Sequence, residues 1–199
     1  MSLLDELMSQ LGDGPTRDIG DRLGVDQGTA SKAIAGALPM VLGGLARNAQ
    51  KSDGAEALLG ALGRDHDGSL LDDLGGYLGS DRGAGGEKIV GHVFGGGKGN
   101  VEAALGQLSG LGSGKSGQLL AMLAPIVMGA LGKQQRAKGF DAGGLAEMLG
   151  RESQGAGAGK GDAMSQIGEL LDRDGDGDFT DDIAKMGKGL LGGLLGGKR

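Results

Sequence analysis

Ala37-Leu38-Pro39-Met40-Val41-Leu42-Gly43-Gly44-Leu45-Ala46-Arg47-Asn48 is matched, at an offset of 86 residues, by Leu123-Ala124-Pro125-Ile126-Val127-Met128-Gly129-Ala130-Leu131-Gly132-Lys133-Gln134. Proline, valine, glycine and leucine coincide, and most other columns are conservative. With one residue added to the offset the match continues downstream, where AEALLGALGR (55–64) meets AGGLAEMLGR (142–151). Upstream, Gly24 and Gly28 meet Gly110 and Gly114. A third echo pairs RDHDGSLLDDL (64–74) with RDGDGDFTDDI (173–183). The repeat units span about residues 15–74 and 101–151. Repetition of a supersecondary unit bounds the architecture but names no reaction.

Apolar residues recur at three and four along both units, with few alternating runs, and this spacing predicts helices. They are expected near 2–11, 15–23, 27–48, 54–62, 69–78, 86–94, 100–109, 115–136, 142–150, 163–171 and 180–195. The expected fold is all-α, a compact multi-helix bundle of two internally repeated units joined by Gly-rich linkers. Pro39 and Pro125 lie inside the longest apolar segments. Each is expected to kink its helix or begin a new one, because proline lacks the donor and crowds the preceding turn.

Composition agrees with close helix packing. Of 199 residues, 38% are hydrophobic, with one Tyr, three Phe and no Trp, so Leu, Ala, Ile, Val and Met must build the core. A β-sandwich would need more aromatic and β-branched residues. The 47 glycines exceed ordinary usage of about 7% more than threefold, which suits both linkers and close backbone approach. No cysteine is present, which excludes disulfides, thiolate metal sites and thiol nucleophiles. A net charge of −6 argues against sequence-independent binding to nucleic acid. Ser2 followed by Asp5 and Glu6 reads as a capped helix start rather than a secretory leader. With no uninterrupted apolar run of about 18 residues, a cytoplasmic protein without a membrane span is expected, export by another route staying open.

Gly79–Gly86 (GSDRGAGG) and Gly95–Gly99 (GGGKG) read as linkers that bracket one inserted helix, Glu87 to Phe94. RESQGAGAGKGD (151–162) reads as a flexible joint. The expected organisation is a helical domain over 1–151, a linker over 152–162 and an appendage over 163–199.

The sharpest chemical motif lies in that appendage. Asp172, Asp174 and Asp176 occupy positions 1, 3 and 5 of a calcium-type loop, Gly177 position 6, and Asp178 position 7 through its carbonyl. Position 12 is Ile183 where a bidentate Glu is usual, so Asp181 or Asp182 would close the shell. The competing reading is an acidic hinge in which Asp181 or Asp182 caps the next helix. The earlier loop Asp65-His66-Asp67-Gly68 lacks the first ligand, and Asp67 or Ser69 is expected to cap the following helix. His92, in an apolar segment, is expected to pack in the core, and the two histidines form no catalytic dyad.

Residues 19–34 read as helix-turn-helix, with Gln27, Thr29, Ser31 and Lys32 placed to reach nucleic acid. Only Lys32 among them is basic, and helical packing explains the same pattern. In the tail, Gly189, Gly193 and Gly197 recur every four residues with Leu190, Leu191, Leu194 and Leu195 between them. Such spacing lets helices approach closely, while glycine disfavours an isolated helix by about 1 kcal/mol per position. That segment is expected to be helical only when docked on a partner, a second copy or a membrane surface. Gly112-Ser113-Gly114-Lys115-Ser116 ends as a phosphate loop does, yet Ser109 stands where its first glycine belongs and no strand is expected before it.

GGLARNA (43–49), DHDGSLLDDL (65–74), Ile89-Val90-Gly91-His92-Val93-Phe94 and LAPIVMGALGK (123–133) together resemble the YidB-like family of bacterial proteins of unknown function. The resemblance covers about residues 1–151. It implies a compact helical fold with a homeodomain-like element and no established activity. The expected function is a non-enzymatic helical scaffold that self-associates or holds a protein partner through its C-terminal segment, with calcium as modulator. The alternative is a helix-turn-helix DNA-binding regulator.

Overall fold

A computed structural model of the chain describes residues 2–51, 53–80 and 84–158, and among these every regular element is helical. The order is α1 (Leu3–Gln10), α2 (Asp13–Leu23), α3 (Gln27–Ala49), α4 (Gly54–Asp65), a 3-10 turn (Ser69–Asp73), α5 (Leu74–Gly79), α6 (Ala84–Phe94), a second 3-10 turn (Gly95–Gly97), α7 (Lys98–Ser109), α8 (Ser113–Lys138) and α9 (Ala142–Ala158).

Local chemistry sets the helix ends. Ser2 and Asp5 form a capping box, each side chain accepting the other's backbone N–H at 3.1 Å. The carboxylate of Asp26 accepts the Thr29 N–H at 3.0 Å and starts α3. Gly24 and Gly110, with φ of 60° and 78°, end α2 and α7 in the left-handed region that glycine adopts without a Cβ clash.

Helix α8 is the axis of the bundle. It is buried without interruption from Leu119 to Gly132 and packs against α1, α2, α3, α4, α6, α7 and the first 3-10 turn. Leu38, Leu42 and Leu45 of α3 share one core with Leu119, Leu123, Ile126 and Leu131 of α8. Glycines let the backbones approach. A Cβ at Gly132 would overlap the His66 carbonyl, and one at Gly86 the Ala121 carbonyl. Ala121 lies four residues before Pro125, so its carbonyl has no helical N–H to receive. Gly44 leaves the notch filled by Val93 and Phe94 of α6.

Several expectations need correction. Neither Pro39 nor Pro125 begins a new helix: α3 and α8 continue through them, since the surrounding packing holds the chain helical where a proline removes one bond. Gly95–Gly97 is a 3-10 turn running directly into α7, not an open linker. His92 is exposed, because α6 turns Val90 and Val93 inward and the two residues between them, Gly91 and His92, face away. The helix expected at 69–78 begins as a 3-10 turn and becomes α-helical at Leu74. Helix α9 extends to Ala158, through residues 152–158 of the stretch expected to be a joint. Glu152 anchors it, its carboxylate accepting the backbone N–H groups of Leu3 at 2.9 Å and Leu4 at 3.4 Å at the start of α1.

By length and hydropathy α3 and α8 are each long enough to cross a membrane, but 56% and 78% of their most apolar windows are buried in the bundle. That degree of burial belongs to core helices.

Candidate functional site

The corner between α2 and α3 follows from small residues. A Cβ at Gly20 would stand 3.1 Å from the Val25 carbonyl, and the Val25 N–H returns to the Gly20 carbonyl at 2.9 Å. The chain thus turns from one helix to the next in three residues, as the helix-turn-helix reading requires. Gln27 donates to the Asp13 carboxylate at 3.3 Å, and the Thr29 hydroxyl donates to Asp26 at 2.7 Å. Ser31 and Lys32 are exposed on the next turn. The Thr29 hydroxyl and N–H hold Asp26 below the usual carboxylate range. A negative charge therefore sits at the helix start where a phosphate would otherwise be received.

The corner between α7 and α8 repeats this construction. A Cβ at Gly106 would stand 2.6 Å from the Leu111 carbonyl, and Gly110 takes the left-handed conformation. Here Gly112 occupies the cap position and supplies no side chain. Lys115 reaches across and donates to the Gly24 carbonyl at 3.2 Å, joining the two corners. Ser116 is fully buried and donates to the Gly112 carbonyl at 3.2 Å. Helix α7, not a strand, precedes this Gly-Lys-Ser, and both polar side chains serve the fold, so the phosphate-loop resemblance carries no site.

The Asp65-His66-Asp67-Gly68 loop closes over α8. Asp67 accepts the Ser69 N–H at 3.0 Å and the Ser69 hydroxyl at 2.6 Å, a local turn that leads into the 3-10 segment. Arg136 donates to the Asp67 carbonyl at 3.0 Å and lies 3.8 Å from its carboxylate. The Ser69 hydroxyl and N–H hold Asp67 below the usual carboxylate range. Half-burial pushes the His66 imidazole below its ordinary value, with the Asp65 charge opposing. Among the described residues no group of three or more His, Cys, Asp or Glu side chains is arranged to hold a metal ion.

Beside this loop, Ser69, Leu70, Asp73, Gly76, Tyr77 and Ser80 line a depression. The Tyr77 hydroxyl is buried there without a protein partner, and burial raises its pKa while nearby Arg22 opposes. Nothing in the spacing of the sequence marks Tyr77 beyond its being the only tyrosine. The cross-bundle partners were equally illegible: Lys115 with Gly24, Glu152 with α1, and Asn48, whose amide donates to the His92 and Val93 carbonyls at 3.0 Å each.

Asp172, Asp174, Asp176, Asp178, Asp181 and Asp182 lie outside the described residues, as do Gly189, Leu190, Leu191, Gly193, Leu194 and Leu195. Residues 5–134 match a family described as bacterial protein of unknown function (DUF937), and the chain belongs to it. No curated protein and no solved structure matches the chain.

Proposed function

We propose that this member of a bacterial family of unknown function is a non-enzymatic helical scaffold that self-associates. The observation that supports it is where the polar side chains of the bundle go. Ser2, Asp26, Asp67, Lys115, Arg136 and Glu152 each serve a cap or a tie between helices rather than converging on a reacting atom. On this reading the body is a platform, and the binding chemistry belongs to the C-terminal sequence. Asp172, Asp174 and Asp176 are proposed calcium ligands with Asp181 or Asp182 closing the shell. Gly189, Gly193 and the leucines between them are the proposed contact between copies. The finer family reading, YidB-like with a duplicated helical unit, rests on the four motifs and on the shared build of the two glycine corners. We also propose a cytoplasmic location. Light scattering on the full chain, in chelator and then in millimolar calcium, tests the proposal. The expected result is a larger mass in calcium, and a monomer in both conditions would overturn it.

A second reading is favoured by the α2–α3 corner, which has helix-turn-helix form with Ser31 and Lys32 exposed. Retention of a DNA duplex at physiological salt, lost in Lys32→Glu, would establish it. The Asp26 and Asp13 carboxylates beside the same turn weigh against it.

A further inference from the structure

The loop that trails the first repeat unit, residues 64–74, packs on α8, the long helix of the second. Gly68, with φ of 86°, comes so close that a Cβ there would stand 3.0 Å from Lys133 Cβ and 3.1 Å from the Gly129 carbonyl oxygen. From the other side, a Cβ at Gly129 would stand 3.7 Å from Gly68 Cα and Leu71 Cγ, and 3.8 Å from Leu70 Cδ2. Arg136 holds the loop down through the Asp67 carbonyl. A left-handed glycine followed by two leucines is therefore what covers this face of α8.

The same face of α3 has no such cover among the described residues. Pro39, Met40 and Gly43 are partly open, and a Cβ at Gly43, the column of Gly129, would meet nothing within 4 Å. An apolar strip of this kind is stabilised by removal from water. The sequence holds a second version of the covering loop, RDGDGDFTDDI (173–183), identical to RDHDGSLLDDL (64–74) at six of eleven positions. Gly177 stands for Gly68, Phe179 for Leu70, Thr180 for Leu71 and Ile183 for Leu74, so the glycine and two of the three apolar positions are kept. One difference shifts the seat. The column of Gly132 is Ala46, whose methyl occupies the place that the His66 carbonyl takes on α8, and Gly175 stands where His66 does. A loop on α3 is thereby displaced toward Pro39 and Met40, and the ring of Phe179 is larger than the leucine it replaces.

Repeated units pack on their neighbours in order. Here the loop trailing the first unit serves the long helix of the unit after it. Residues 173–183 trail the second unit, and the next long helix is α3 of another copy. We propose that residues 173–183 of one copy seat on the Pro39, Met40 and Gly43 face of α3 in a second copy, with Phe179 in the place that Leu70 holds on α8. The proposal rests on the self-association reading, and it adds a contact on the helical body to the one placed in the Gly/Leu segment.

The chain has no cysteine, so introduced thiols report this contact alone. Leu71 Cγ stands 3.7 Å from a Cβ at Gly129, which makes Gly43 and Thr180 the pair to link. Full-length Gly43→Cys and a size-tagged full-length Thr180→Cys are mixed in millimolar calcium, oxidised and run on a non-reducing gel. The expected product is a covalent heterodimer that reductant dissolves, well above the yield from Gly63→Cys with the same partner. Gly63 is exposed and also has open space around it, so it measures random collision. A heterodimer yield no higher than that control overturns the proposal. So does a chain carrying both Gly43→Cys and Thr180→Cys that closes only on itself at every concentration, which would make its own segment the occupant. Light scattering on Gly43→Arg and Phe179→Asp gives a second reading that needs no disulfide. Each is expected to lower the solution mass while Gly63→Arg leaves it unchanged, and a mass unaffected by either overturns the docking. An oligomer that persists in both variants removes this contact and leaves the self-association reading standing, whereas a wild-type monomer in calcium and in chelator removes both.

Discussion

Helix α8 buries fourteen consecutive residues from Leu119 to Gly132, whereas α3, aligned with it at an offset of 86, leaves Ala35, Gly36, Pro39, Met40 and Gly43 partly open to solvent. Both helices are uncharged through their middles and carry proline at the same column. The difference comes from what lies outside each. Gly86 of α6 seats on the Ala121 carbonyl, and the loop carrying His66 and Gly68 covers Gly129 and Gly132. On α3 the column equivalent to Gly129 is Gly43, where an added Cβ would meet nothing within 4 Å. Apolar periodicity therefore determines that a segment is helical, and neighbours distant in sequence determine how many of its faces are core.

The sharpest way to break the comparison is at the columns of Ile126 and Met40. Ile126 is fully buried and Met40 is only partly so. Ile126→Ala is expected to cost about 2–5 kcal/mol through lost burial and a residual cavity, and Met40→Ala roughly 1 kcal/mol or less. Urea unfolding of the two variants reads the difference, and equal losses would mean that both helices are equally enclosed. Next in size are the glycines. Gly132→Ala drives a methyl into the His66 carbonyl and is expected to destabilise by about 1–3 kcal/mol. Gly43→Ala adds helix propensity in open space and should stabilise by up to about 1 kcal/mol. A gain in both would show that the loop over α8 is readily displaced.

The caps sharpen the comparison at a smaller scale. Asp26→Ala removes the side-chain cap of α3 at a cost of about 1 kcal/mol. Gly112 already has the extended backbone of a cap, φ −68° and ψ 156°, with space around it. Gly112→Asp should therefore raise the thermal midpoint, and no change would mean that Lys115 and the corner already set that helix end. The smallest effect is titration of the loop that covers α8. The folded protein lowers the His66 pKa, so near the ordinary histidine value the unfolded chain binds more protons and stability falls as pH falls through that region. His66→Asn should flatten the stability profile between neutral and mildly acid pH. A slope unchanged by the substitution would assign that pH dependence to other groups.

Much of the architecture was legible because it is local. The recurrence of Leu and Ala at three and four, Ser2 ahead of Asp5, and the glycines at 24 and 110 mark helices and their ends within a few residues of chain. His92 shows where this stops. Its apolar neighbours suggested the core, but one step along a helix turns a side chain by about 100°, and the contacts of Val90 and Val93 decided which way α6 faces. That α9 runs on through residues 152–158 was hidden for the same reason, since Glu152 finds its hydrogen-bond donors in α1, at the other end of the sequence.

Sequence alone thus determined the all-helical class, the helix order and the glycine corners, because helix propensity, capping and left-handed turns depend on neighbouring residues. Tertiary structure decided that Pro125 lies inside an enclosed helix, that Lys115 ties two corners together, and that Asp67 and Arg136 hold a loop over α8. Those outcomes depend on groups far apart in the chain, and only close packing brings them within reach of one another.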